Sequence, residues 1–473
     1  MVGRLPGSIE RPESGLIAPG RRRANKSAEE SEGVCMNKHL FRAVAALISC
    51  AGIAVAQESP FVRVTEPNDQ TSRLEVAVRT LVPDENGPVV RLVGAVHIAD
   101  PSFYEELQAW LDAHDLVLYE GVGGGHEPQP EPAEAAATLA TDRRLRLIGM
   151  LAEQMHRDTG RYPTSSAQIV ESFEGATRTF VASAFEDAWG NPVQLQVRDG
   201  FDAMSFGADG RPGGEGDDAD RRFSKIQPHQ VFKPEGAEAK GLQRDLADAL
   251  GLAFQLDGID YSHPHWRNSD LNVEQIRAAL AGEPIPPKRK IGATEPAGDS
   301  QPAPAEERSG DRTDAEKAAD MLFGALSGDS FLAKSMGFLV KLMGSSQQGR
   351  AMIKIVLSDT LCNADAILES QPGALGELMK VLTVDRNKQV VADLREVVEK
   401  EPGARSVAIF YGAGHFADLE KRICEELGYR YESTTWIPAI TVDVKESGLS
   451  AEQVKSFRSM MRRTIEQQMK RGD

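Results

Sequence analysis

Two octets far apart in the chain, VGAVHIAD at residues 93–100 and YGAGHFAD at residues 411–418, share Gly, Ala, His, Ala and Asp at matching places. Each puts a histidine three residues after a glycine, His97 after Gly94 and His415 after Gly412, at the end of an apolar run rich in β-branched and aromatic residues. A further short apolar run, LVLY, ends in Glu120. Two imidazoles and a carboxylate form a partial coordination set for a divalent metal, with positions left for water and substrate. A metal held that way acidifies bound water and polarises a carbonyl, which is hydrolytic chemistry. The donor types do not discriminate among Mn, Co and Zn. A single histidine after a strand is ordinarily a hydrogen-bonded structural residue; the repeated pattern and the acid on an adjoining strand set these two apart. No HExxH stands in the sequence, which excludes the ordinary zincin signature.

The elements that must position these residues read as α/β. Residues 74–82 and 89–97 flank the turn cluster PDENGP and predict a hairpin. Asp100 as cap and Pro101 as opener predict a helix over PSFYEELQAWLDAH, with Phe103, Leu107, Trp110 and Leu111 at helical spacing. The strand ending at Glu120 follows, so strand, helix and strand should form a right-handed crossover between parallel neighbours. The same alternation returns with SVAIFYGAGH, FADLEKRICEELG and YRYESTTWIPAITV. Ligands of parallel sheets sit outside the carboxyl ends of the strands, so His97, Glu120 and His415 are expected at one edge. Gly94, Gly412 and Gly414 would let the backbone turn tightly or approach a ligand.

Between these parts, residues 123–142 are a Pro- and Ala-rich acidic connector, and residues 143–225 form a different, small α+β unit. Its last loop gathers Asp209, Asp217, Asp218 and Asp220 among glycines. Hard oxygen ligands on a flexible loop suit Ca²⁺, although composition alone favours a solvated acidic loop. Residues 236–282 are mainly helical, with His263 and His265 in a loop before a helix expected to start at Ser269 or Asp270; an ordinary loop pair is the favoured account of those histidines. Residues 283–313, rich in Pro and charge, are expected to be a disordered linker. Helical patterns with small residues and Met occupy 314–401, within a C-terminal part of the main domain at 314–440, and 441–473 end the chain in a helix.

With 473 residues, 41 % apolar and 26 % charged, the chain can bury a full core and is long enough for two or three compact units. A formal net charge of -17 argues against a nucleic-acid partner, because that affinity comes from Lys and Arg neutralising phosphates. Residues 1–35 show no apolar periodicity. From Met36 the text MNKHLFRAVAALISCAGIAVAQESP has a basic start at Lys38 and Arg42, an apolar run, and Ala54-Val55-Ala56 before Gln57. That is the layout of a secretory signal peptide over 36–56, and its run is too short to span a bilayer comfortably. Translation is therefore expected to start at Met36, with 1–35 an upstream artefact and the product exported to the periplasm or beyond. Leu47-Ile48-Ser49-Cys50 also permits a lipoprotein, anchored to a membrane through acylated Cys50. Cys362 and Cys424 remain downstream, as one bridge or as two thiols.

The order of motifs (strand with GxxH, helix, strand ending in Glu, the Arg386-Asn387 pair in VDRNKQVV, and a C-terminal GAGH before a helix) resembles the TraB/PrgY/GumN family, whose relatives include the TIKI proteases. The resemblance covers about 74–122 and 236–440. It implies an EreA/ChaN-like α/β fold and a metal-dependent peptidase site acting on a peptide or protein substrate. Position by position, His97 and His415 match the GxxH histidines and Glu120 the strand-end acid. Arg386 matches an arginine suited to a substrate carboxylate or oxyanion. Within the insert, GRYPT, DAWGNP and SFGADGRPGGEGDDAD resemble the C-terminal domain of the type II secretion major pseudopilin G, whose terminal loop binds calcium. The prepilin cleavage motif and long apolar helix of that family are missing, and Ala188 replaces the proline usual before Trp-Gly. A calcium-stabilised module is implied, with a secretion-system contact as its partner. Two functions follow from the sequence: a metal-dependent hydrolase, or a ligand-binding, secretion-associated protein without turnover.

Overall fold

Apolar runs without alternation, such as LVLY at Leu116–Tyr119, belong to strands covered on both faces. In the computed structural model they build a mixed sheet. Residues 61–121, 135–226, 242–280, 283–286, 345–362, 381–456 and 458–459 are described, all within one compact unit, Ala51–Asp473. The segments 1–35 and 36–56 with Cys50, and most of the stretch 283–313, lie outside the described residues.

Strands β1 (Val62–Asn68), β2 (Thr71–Pro83) and β3 (Val89–Ala95) form an antiparallel start, with β2 and β3 the expected hairpin. The remaining strands of the sheet are β5 (Leu116–Tyr119), β10 (Trp266–Asn268), β11 (Ser406–Gly412) and β12 (Tyr429–Asp443). The order is β1-β2-β3-β11-β5-β10, with β12 antiparallel to β2 from Thr71 to Pro83. The pairs β3–β11, β11–β5 and β5–β10 are parallel. A short two-stranded pairing joins β4 (Ile98–Ala99) to β9 (Ala253–Phe254).

The crossover departs from expectation. Helix α1 (Pro101–Asp112) does connect parallel strands, but β3 and β5 are not neighbours, because β11 lies between them. Six of the seven residues of β11 are buried, so it needs a partner on each edge, and a central place supplies both. The cap also differs. Pro101 opens α1 and the Asp100 side chain makes no cap hydrogen bond. Its carboxylate instead takes the Thr441 N–H at 2.6 Å and pairs with Lys354 at 3.1 Å, tying α1 to β12 and to a helix at Gln347–Cys362.

The Ala-rich stretch before residue 143 is already helical. Helix α2 (Ala136–Thr159) ends on Gly160 at φ 72°, and α3 (Gly175–Ser183) precedes an antiparallel sheet of β6 (Gln194–Val197), β7 (Phe201–Ser205) and β8 (Arg221–Arg222). This segment shares core with the main sheet. α3 packs on β2 and β12, with Thr177 bonded to Thr80 at 2.9 Å. Phe180 stacks on Trp110 at 5.9 Å beneath the Arg91 guanidinium, and α2 is tied to α1 through Arg157 and Glu106 at 3.3 Å.

Helix α4 (Leu242–Leu250) and α5 (Val273–Leu280) follow, then α6 (Gln347–Cys362), α7 (Arg386–Lys400) and α8 (Phe416–Leu427). α5 starts three residues after Asp270, where Asn272 and Gln275 cap each other reciprocally. Trp110, Trp266, Leu92 and Phe410 are each at most 1 % exposed, and each such side chain contributes roughly 2 kcal/mol. Cys362 and Cys424 are not bridged to each other. Among the described residues no helix is long and apolar enough to cross a membrane.

Candidate functional site at the carboxyl ends of β3, β11 and β5

The two GxxH turns leave adjacent parallel strands, for Tyr411 pairs with Gly94 and Gly412 with Ala95. Glu120 follows β5 on the other side of β11, where Phe410 pairs with Tyr119 and accepts the Glu120 N–H. Sequence separation is erased by this order. Gly94 is required by packing rather than by a ligand: a Cβ there would lie 2.3 Å from Val76 of β2. His97 is exposed, two residues beyond β3, and its carbonyl accepts the Gln255 N–H. Among the described residues its imidazole makes no hydrogen bond or ion pair.

Glu120 is held from three sides. Oε2 accepts the Gly412 N–H at 2.8 Å and Oε1 accepts Arg386 Nη2 at 2.6 Å, while His415 Nε2 stands 3.9 Å from Oε1. Burial alone would raise its pKa, but Arg386, His415 and the Gly412 N–H together outweigh burial and hold it at about 2. It is a carboxylate at every physiological pH. A Cβ at Gly412 would meet Oε2 at 3.4 Å, so the glycine lets the β11 backbone come close to the acid.

The Arg386 guanidinium, at the start of α7, is committed to two acids. Nε and Nη2 each donate to Asp270 at 2.7 Å, and Nη2 also reaches Glu120. Burial would lower its pKa, yet the Asp270 hydrogen bond and the charges of Glu120 and Asp270 raise it above the ordinary arginine range. Sequence reasoning aimed Arg386 at a substrate; the geometry aims it at Glu120. Asp270 was foreseen only as a helix start. Its side chain is fully buried and also takes the N–H groups of Gly121 at 3.0 Å and Leu271 at 2.7 Å.

His415 ends a 3-10 turn, Ala413–His415, directly before α8. Its Nδ1 lies 2.7 Å from Asn387 Oδ1, the Asn387 amide nitrogen donates to Asp418 at 2.9 Å, and Arg422 donates to Asp418 at 2.7 Å. Burial lowers the His415 pKa; the Glu120 charge opposes and the Arg386 charge adds to the lowering. The imidazole is neutral at pH 7. An ionised acid and a neutral imidazole, side by side at a sheet edge, can orient a water and take its proton.

A metal does not find its ligands assembled here. Among the described residues no three His, Cys, Asp or Glu side chains form a group that could hold an ion. His263 sits 3.5 Å from Asp112 and 3.6 Å from Asp260, in the loop before β10, and His265 lies beside it. On the acidic loop three of the four carboxylates serve a nearby donor: Asp209 the Arg211 N–H at 2.9 Å, Asp217 the Thr138 hydroxyl at 3.2 Å, Asp220 the Gly213 N–H at 2.8 Å. Asp209, Asp217 and Asp218 face solvent. Asp187, by contrast, is buried and accepts the N–H groups of Trp189 and Asn191 and the Ser205 hydroxyl. Its DxxGN setting, inside DAWGNP, is the sequence signal for that buried acid.

A family model described as type II secretion system (T2SS), protein G matches residues 130–222, the stretch from before α2 to β8. No curated protein and no solved structure matches the chain.

Proposed function

We propose that the chain is an exported hydrolase of the TraB/GumN type, acting on peptides, with an EreA/ChaN-like main sheet into which a pseudopilin-G-like module is set. The observation that carries this is the convergence of Glu120, Arg386 and His415 at the carboxyl edge of β3–β11–β5. The motif order of the resemblance supports the same residues, and the secretion-type module supports export or an envelope location.

A divalent metal, whether Mn, Co or Zn, does not fit the donor set as placed. Glu120 Oε1 already serves Arg386, and His97 is exposed rather than gathered with His415. The steps therefore run through side chains. A water held between Glu120 and His415 gives its proton to Nε2 as it attacks a carbonyl carbon, and Glu120 stabilises the imidazolium that forms. His415 then returns the proton to the leaving amine. Arg386, anchored by Asp270, keeps Glu120 ionised and aimed.

The test is cleavage of a peptide library by the full chain, with and without added Mn²⁺, Co²⁺ or Zn²⁺, for wild type, His415→Ala and His97→Ala. Loss of about 10²-fold or more in kcat is expected for His415→Ala, a general-base magnitude, with His97→Ala close to wild type. No turnover by wild type under any metal condition sinks the hydrolase.

The match over 130–222 favours a second reading, a secretion-associated protein whose module carries calcium on Asp209, Asp217, Asp218 and Asp220. Those carboxylates would have to leave their local turns to share an ion. Calcium at 100 times its Kd should then stabilise the fold by about 2.7 kcal/mol, read as a rise in Tm that Asp217→Asn with Asp218→Asn removes. An unchanged Tm at millimolar calcium would make the loop a solvated turn.

A further inference from the structure

The hydrogen-bond order around His415 fixes more than its position. The Asn387 amide nitrogen faces two groups that can only accept, the Asp418 carboxylate at 2.9 Å and the His415 carbonyl at 3.2 Å. Its NH₂ must therefore be on that side, which leaves Oδ1, an acceptor, against His415 Nδ1 at 2.7 Å. Nδ1 must carry a proton to meet it. In a neutral ring the other nitrogen is then bare, and bare Nε2 faces Glu120 Oε1 across 3.9 Å. Two acceptors with no hydrogen between them repel; a group that donates to both relieves them.

We propose that Asn387 is a positioning residue that locks His415 in its Nδ1–H form, so that the space between His415 and Glu120 takes a hydrogen-bond donor, such as a water or an amine. Asp418, itself held by Arg422 at 2.7 Å, sets the direction of the Asn387 amide. Asn387 is fully buried, so no solvent competes for the contact. This deepens the hydrolase reading and rests on it for the identity of the water as nucleophile, but the proton position is a separate claim.

The experiment is nitrogen-15 NMR of the full chain labelled at histidine, with His415→Gln to assign the His415 signals among the nine histidines. Wild type should show His415 protonated at Nδ1. Asn387→Leu removes the acceptor, leaving Glu120 as the remaining carboxylate in reach, and should move the proton to Nε2. Asn387→Asp combined with Asp418→Asn exchanges acceptor and donor between the two positions and should restore the Nδ1 form. In the peptide assay, Asn387→Leu should lower kcat by about 10²-fold with KM little changed, and the double variant should recover most of it. A wild-type His415 protonated at Nε2 overturns the proposal even if Asn387→Leu does not fold, as does an unchanged tautomer in Asn387→Leu. Absence of peptide cleavage overturns the hydrolase and leaves the tautomer to decide this inference.

Discussion

Asp270 illustrates how a residue with no motif can govern a site. It is fully buried, it takes two hydrogen bonds from Arg386, and through that arginine it fixes the charge on Glu120. Removing one partner of a buried pair leaves the other charge uncompensated, which costs about 3 to 5 kcal/mol. Asp270→Asn should lower the urea midpoint accordingly, and a shift worth less than about 1 kcal/mol would mean that Glu120 alone satisfies the guanidinium. His415 and Glu120 were legible in the text because a repeated glycine-histidine spacing and a strand-end acid are local patterns. Asp270 and Asp418 were not, because an ion pair or amide contact between remote segments leaves no spacing to read. The type of Arg386 announces an anion but not which anion, and its contacts with Asp270 and Glu120 are not legible in the text.

At the scale of elements, the helices and strands followed their apolar patterns, while their neighbours did not. The hairpin of β2 and β3 and the helix after Pro101 are local, but the insertion of β11 between β3 and β5 is a pairing choice across the whole chain. The contact of α1 with α2 was equally hidden, and it carries a titratable load. Glu106 on α1 is buried, and burial raises its pKa to about 8 from 4.5, with Arg157 of α2 opposing only in part and Asp158 adding to the rise. Its folded form keeps a proton that the unfolded chain releases near 4.5. Stability contributed by that proton is therefore full below about 4.5 and is lost as pH rises toward about 8. Glu106→Gln should be more stable relative to wild type at pH 8 than at pH 5, by urea denaturation. Equal offsets at both pH values would show that Arg157 keeps Glu106 ionised throughout.

The whole molecule turns on whether the segment matched at residues 130–222 is a passenger. Its sequence reads as a separate unit, with its own turns, its own small sheet and a family match that stops at residue 222. Its packing says otherwise: Phe180 and Thr177 of α3 enter the layer formed by Trp110 and Thr80, the Arg91 side chain of β3 donates to the Ala176 carbonyl at 3.1 Å, and Glu432 of β12 takes the Ala176 N–H at 2.7 Å. Groups buried in one shared layer cannot be exposed on one side without exposing the other, so the two parts should melt together. Calorimetry of the full chain is expected to give a single transition whose calorimetric and van't Hoff enthalpies agree. Phe180→Ala, which opens that layer, should lower the midpoint of the whole transition, by about 2 kcal/mol in stability at this half-buried position. Two separated transitions, or a Phe180→Ala effect confined to one of them, would make the pseudopilin-like part an independent domain merely lying on the sheet. In that case, the junction between α3 and the β2–β12 edge would be a contact between domains rather than a common core.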